Sequence, residues 1–80
     1  KKIKTLNDIE LNSIAKIKQI NCVGNIKRRI LDLGIIEGTL IKPVFRSPLG
    51  EPTAYEVRET IISLREEETK KIEVEELGHS

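Results

Sequence analysis

The sequence has very few aromatic side chains, a single cysteine and no long apolar run. Its 80 residues include one Phe, one Tyr and no Trp, so it lacks the stacking platform of single-stranded nucleic-acid-binding proteins. The lone Cys22 cannot form an internal disulfide and favours a reduced, cytoplasmic setting. No apolar stretch approaches the roughly 20 residues of a spanning helix, and no signal peptide is recognisable. We therefore expect no direct membrane insertion.

An excess of charge of one sign is also missing. The chain carries 14 Lys and Arg against 13 Asp and Glu, a formal net charge of +1, which argues against a strongly basic nucleic-acid binder.

The residue patterns of catalysis are absent as well. His79, in a predicted frayed tail, is far from Cys22 in sequence, whereas a catalytic base must be held within hydrogen-bond reach of its partner. No glycine-rich phosphate loop is present, so we expect no enzyme.

One short helix is predicted to begin after Asn25, its N-cap, and to end before Gly34. Three apolar residues, Ile26, Ile30 and Leu33, recur at helical spacing and define its buried face. Three cationic residues, Lys27, Arg28 and Arg29, lie off that face and are expected in solvent. Gly34 follows the last periodic residue, where a left-handed residue ends a helix without a Cβ penalty.

The remainder of the chain predicts strands separated by turns. The predicted strands are Ser13–Ile20, Leu40–Arg46, 53–58, 61–64 and 71–75. Pro43 places the second strand at an edge or at a bulge. Gly38 and Gly50 are structural turn positions, the latter in the loop at residues 47–52, and residues 65–70 favour one helical turn. The fold predicted is mainly β: a small SH3-like barrel of about five strands with one short α-helix.

Five stretches together resemble a known family. They are residues 28–35 (RRILDLGI), 37–39 (EGT), 47–52 (SPLGEP), 62–65 (ISLR) and 72–74 (IEV). In this order and spacing they resemble the FeoA domain, a small SH3-like barrel found with bacterial ferrous iron uptake systems. Glu37 and Glu51 depart from the proline and aspartate usual in that pattern. The resemblance predicts a single domain over residues 1–80, with its core at about residues 6–77.

The resemblance also implies a function. It implies a cytoplasmic accessory protein that binds FeoB, a membrane permease with a cytosolic GTPase domain, and that has no catalytic group. An alternative is a metal-binding or interaction module related to the C-terminal barrel of iron-dependent transcription regulators. No cofactor is required on either view, and weak binding of Fe²⁺ or another divalent metal stays open. Self-association through an edge strand also stays open.

The candidate site residues fall into two groups. The hypothesised partner-binding residues are Lys27, Arg28, Arg29, Leu49 and Arg65. Guanidinium groups suit carboxylates on a partner because they form bidentate pairs, although a basic cluster is more often just the solvent face of a helix. The weak metal candidates are Cys22, His79, Glu73 and Glu75. Glutamates on a strand face are more often simply solvated, since a closed site needs about four ligands.

Overall fold

The computed structural model describes residues 3–79, with no account of the His79 side chain. It contains six strands: β1 (Ile3–Thr5), β2 (Ser13–Ile20), β3 (Leu40–Arg46), β4 (Thr53–Val57), β5 (Thr60–Leu64) and β6 (Ile72–His79). All neighbouring pairs are antiparallel and form one sheet in the order β1-β6-β2-β3-β4-β5. The chain is thus a small, mainly β, SH3-like barrel, as the sequence predicts, with six strands described rather than about five.

One aliphatic core lies inside the sheet. Alternation along β2 puts Ala15 and Ile17 in the interior and Lys16 and Lys18 in solvent. The buried apolar side chains come from strands, turns and the helix alike: Leu6, Ile9, Ala15, Ile17, Cys22, Ile30, Ile35, Ile41, Tyr55, Val57, Leu64, Ile72 and Val74. β-branched isoleucine and valine fit such a pleated, buried surface well.

Helix α1 (Gly24–Asp32) covers this core between β2 and β3. Ile30 is fully buried, and Ile26 and Leu33 pack against the core beside it. The predicted N-cap, Asn25, is wrong, because α1 begins at Gly24, two residues earlier than that cap implies, and Val23 occupies the cap position without a side-chain hydrogen bond. Gly34 follows the helix with φ +87°, which a residue without Cβ adopts at no steric cost.

Near each end of residues 3–79, the structure has strand residues that the sequence did not predict. The basic start of the chain includes β1, which pairs with β6, so that Lys4 lies opposite Val74. The predicted frayed tail at residues 77–80 is wrong for the described part, because β6 runs on to His79. There Ser13 pairs with His79 and Ile14 with Gly78. Hydrogen bonding to the sheet holds these residues, and Ser80 lies outside the described part of the chain.

The structure decides two local predictions, the position of Pro43 in the sheet and the end of the third predicted strand. β3 lies between β2 and β4, so Pro43 is not at an edge; a register shift between Pro43 and Phe45 shows the bulge instead. The β4–β5 turn consists of Arg58 and Glu59, one residue earlier than predicted, so β4 ends at Val57. Both turn residues have positive φ, +52° and +68°, which is the geometry of a type I′ hairpin.

A second, single-turn helix, α2 (Glu66–Thr69), follows β5 where the sequence favours one helical turn. Its third residue, Glu68, is buried. The Glu68 Oε1 atom accepts a hydrogen bond of 2.8 Å from the backbone N–H of Arg65, just before the helix. This contact satisfies one of the free N–H groups at the helix start.

Candidate partner-binding surface

A buried carboxylate organises the surface around α1. The guanidinium of Arg29 donates a charge-assisted hydrogen bond from Nη1 to Oε2 of Glu68, whose side chain is only 8% exposed. The Nη2 atom of Arg29 donates to the backbone carbonyl of Ser63 at 3.0 Å. Since Glu68 also accepts from the Arg65 N–H, these contacts join α1, β5 and α2. Arg29 is therefore a structural link as well as a partly exposed cation.

The loop at residues 47–52 is attached to the same region. The Oε1 atom of Glu51 accepts a hydrogen bond of 2.9 Å from the backbone N–H of Glu66, at the start of α2. Within the loop, the Gly50 N–H donates to the Ser47 carbonyl at 2.8 Å. Leu49 at the tip is 92% exposed. The loop thus presents an apolar side chain on a base that is held in place, and an ordered loop loses little entropy on binding.

Two of the hypothesised partner-binding residues meet at one cleft. Arg29 and Arg65 line a cleft of about 320 Å³ together with Pro52, Ser63, Glu67 and Glu68. Arg28 is exposed on α1, 100° around the helix from Arg29. Lys27 lies another 100° around, so the cationic cluster predicted from the sequence divides between two flanks of the helix.

The flank that carries Lys27 borders a second depression, which the sequence reasoning missed. It is lined by Gln19, Ile20, Lys27, Leu31, Ile36 and Glu37. Leu31 is 44% exposed and Ile36 is 48% exposed. The spacing of Lys27 and Leu31, one helical repeat apart, was a usable signal that an apolar residue lies beside the cationic face.

The described metal candidates are already occupied by other contacts. Cys22 is buried, and its thiol donates to the Glu68 carbonyl at 3.6 Å. Burial, and next the nearby Glu68 carboxylate, raise the pKa of this thiol. Glu73 accepts from the Asn21 side chain at 3.0 Å, and Glu75 lies 3.7 Å from the Lys18 ammonium. Among the residues whose side chains are described, no three His, Cys, Asp or Glu are grouped for a metal ion.

The described helices are also too short or too polar to cross a bilayer. Within residues 3–79, none combines the length and apolar character of a spanning segment.

Comparison with known proteins identifies close relatives. The model of the FeoA domain family matches residues 4–76. A Porphyromonas gingivalis protein, the Fe(2+) transport protein A/Fe(2+) transporter FeoB fusion protein, is 34% identical over 70 residues, or 88% of this chain. The chain spans only 8% of the length of that fusion protein.

Solved structures match as well. The FeoA-like protein of Clostridium acetobutylicum is 38% identical, with a TM-score of 0.87 over 96% of this chain and 90% of that one. FeoA of Stenotrophomonas maltophilia, solved with zinc and described as a prokaryotic SH3 domain protein, is 29% identical. Its TM-score is 0.77, with 89% of this chain and 88% of that chain covered.

Proposed function

Because this chain belongs to the FeoA domain family, we propose that it serves ferrous iron uptake as a non-enzymatic adaptor that binds the cytosolic part of a FeoB-type permease. The observation that carries the proposal is the fusion relative, in which a domain like this one is part of the same polypeptide as a FeoB transporter. Domains joined in one chain meet at a high effective concentration. A domain of this kind acts on its transporter partner through a contact surface.

We place this contact surface around α1. It consists of Arg28 at the outer ridge of the helix, the cleft beside Arg29 and Arg65, and the exposed tip of the loop at Leu49. Exposed guanidinium groups and a rigidly held apolar side chain are typical of protein–protein interfaces. Transport would then be modulated by binding in the cytoplasm, with no bond made or broken by this domain.

Calorimetric titration against the cytosolic domain of the FeoB-type permease from the same organism tests the proposal. We expect saturable binding, weakened about tenfold by Leu49→Gln, since one apolar side chain contributes about 1.5 kcal/mol. Arg28→Glu is expected to weaken binding through lost charge pairing. Leu77→Gln and Lys16→Glu, at exposed positions on β6 and β2, are the matched controls. Absence of binding by the unaltered protein at high micromolar concentration would contradict the proposal.

A further inference from the structure

Strand β5 lies at one edge of the sheet, with β4 on one side and no strand of residues 3–79 on the other. The opposite edge, β1, has three residues and carries Lys4 at its centre, and a short, charged edge strand discourages pairing with another chain. β5 has the five residues TIISL, without charge or proline. Its register with β4 has no shift, whereas the β2–β6 and β3–β4 registers do. β5 is therefore a regular edge that can accept a further strand.

The contacts of β5 show which of its backbone groups face away from β4. Val57 and Thr60 flank a two-residue turn, so they exchange hydrogen bonds across the hairpin. Because hydrogen-bonded and non-hydrogen-bonded pairs alternate, Ile61 and Ser63 direct their N–H and C=O groups outward. The Ser63 carbonyl accepts from Arg29 at 3.0 Å, which agrees with this direction. The N–H and C=O of Ile61 are thus the backbone groups that the edge offers to a further strand.

Ile61 also presents an apolar side chain at this edge. Its side chain is 59% exposed and lies on the outer face of the sheet, across from Glu56 of β4. Glu56 lies 3.6 Å from the ammonium of Lys42 on β3, so its charge is already paired. On the open side, a β-branched side chain of a neighbouring strand would cover Ile61.

We propose that this edge pairs with β5 of a second copy of the chain, antiparallel and about a twofold axis at Ile61. In this register the Ile61 N–H of each copy donates to the Ile61 carbonyl of the other, and the Cα atoms lie about 5.5 Å apart. A register centred on Ile62 would need the Ser63 carbonyl, which Arg29 already binds. The pairing joins the two sheets into one and does not depend on the proposed function.

The charges that flank β5 complement each other in this register. Glu59 precedes the strand and Arg65 follows it, and neither forms an ion pair within residues 3–79. Antiparallel pairing puts Glu59 opposite Ser63 of the second copy and diagonal to its Arg65, which is within reach of a long side chain. The twofold axis makes this contact twice. Opposite charges thus favour a second copy as the occupant of the edge.

Sedimentation equilibrium of the unaltered protein, from about 10 µM to about 1 mM, tests the proposal. We expect a reversible dimer with a dissociation constant on the order of 10⁻⁴ M, because one strand pair is a small interface. Ile61→Lys should weaken dimerisation at least about tenfold, since it brings two ammonium groups together. Leu77→Lys, at a 52% exposed side chain on β6, is the matched control and should stay within about twofold of the unaltered protein.

A charge exchange tests the register. Glu59→Arg and Arg65→Glu should each weaken dimerisation about fivefold, and the double variant should regain it, because the opposite charges meet again. A double variant as weak as the single variants overturns the proposal.

Hydrogen exchange needs no substitution and so guards against misfolded variants. The Ile61 amide should exchange more slowly at about 1 mM than at about 10 µM protein, because pairing protects it. A protein that stays monomeric at about 1 mM, or a dimer that Ile61→Lys leaves intact, overturns the proposal. If the monomeric protein binds the permease's cytosolic domain and Ile61→Lys abolishes that binding, the edge serves that partner instead. Self-pairing is then overturned and the adaptor function stands.

Discussion

Replacement of Arg29 by alanine should cost about 3 kcal/mol of the free energy of unfolding. The change leaves the Glu68 carboxylate, whose side chain is 8% exposed, with the Arg65 N–H as its remaining hydrogen-bond donor. Removing one partner of a buried ion pair costs about 3–5 kcal/mol. We expect the lower end, because the Arg29 side chain is 49% exposed and water partly replaces it.

Substitution of the other partner, Glu68, should lower the free energy of unfolding by less. Glu68→Gln removes the charge and keeps one of the two oxygens that accept from the Arg65 N–H and from Arg29, so one hydrogen bond is lost but no buried ion is left unpaired. Its cost should be about 1 kcal/mol, in the range of an ordinary hydrogen bond. For the same reason, the Arg29→Ala/Glu68→Gln double variant should cost less than the sum of the two single changes.

Urea unfolding followed by circular dichroism measures these differences. With a slope near 1 kcal/mol per molar urea for a small domain, a loss of 3 kcal/mol lowers the midpoint by roughly 3 M. Arg28→Ala on the same helix is the control and should stay within about 0.5 kcal/mol of the unaltered protein. If Arg29→Ala resembled Arg28→Ala, or if Glu68→Gln cost more than Arg29→Ala, the buried carboxylate would not be the link described above.

Three further predictions concern other parts of the chain. Arg58→Asn with Glu59→Gly should raise the free energy of unfolding by about 1 kcal/mol, since both positions have positive φ; a lower urea midpoint would contradict this. Cys22 has a pKa raised mainly by burial, so its alkylation at pH 8 should be at least about tenfold slower than in urea. Because the pKa of Cys22 is higher in the folded state, the neutral thiol favours folding. This stabilisation is fully present below the pKa of the unfolded thiol, about 8.5, and is lost as pH rises through the higher folded pKa. Fe²⁺ and Zn²⁺ should bind more weakly than about 10⁻⁴ M in calorimetry, since Glu73 and Glu75 are already paired; a submicromolar affinity would refute this.

Strong local patterns allowed β2 and β3 to be predicted with their exact bounds. In β2 the alternation of Lys16 and Lys18 with buried residues marks the strand clearly. β1 could not be found this way, because three residues show no periodicity, and β1 is a strand only by pairing with β6, about 70 positions away. The extension of β6 to His79 depends in the same way on β2. Long-range pairing of this kind leaves no local signal in the sequence.

The same limit applies to the site. The helical pattern correctly puts Arg29 off the apolar face, but its contact with Glu68 joins positions 39 residues apart. Likewise Leu31 can be read as an exposed apolar residue, but nothing local indicates that Ile20 and Ile36 form a wall opposite it. The sequence thus indicates which side chains are unusual, whereas the fold determines which of them meet.

A buried ion pair is weak evidence that a protein needs it for stability, since apolar residues often serve as well. The Arg29–Glu68 contact does something that apolar packing does less precisely: it fixes α1 against α2 and β5 on one side. The outer ridge of the same helix carries Arg28. A helix held at a fixed orientation presents that side chain and the cleft beside Arg65 already in place, so a partner loses less conformational entropy on binding. Arg29→Ala should therefore weaken partner binding more than Glu68→Gln, which loses one of these hydrogen bonds but leaves no buried charge unpaired.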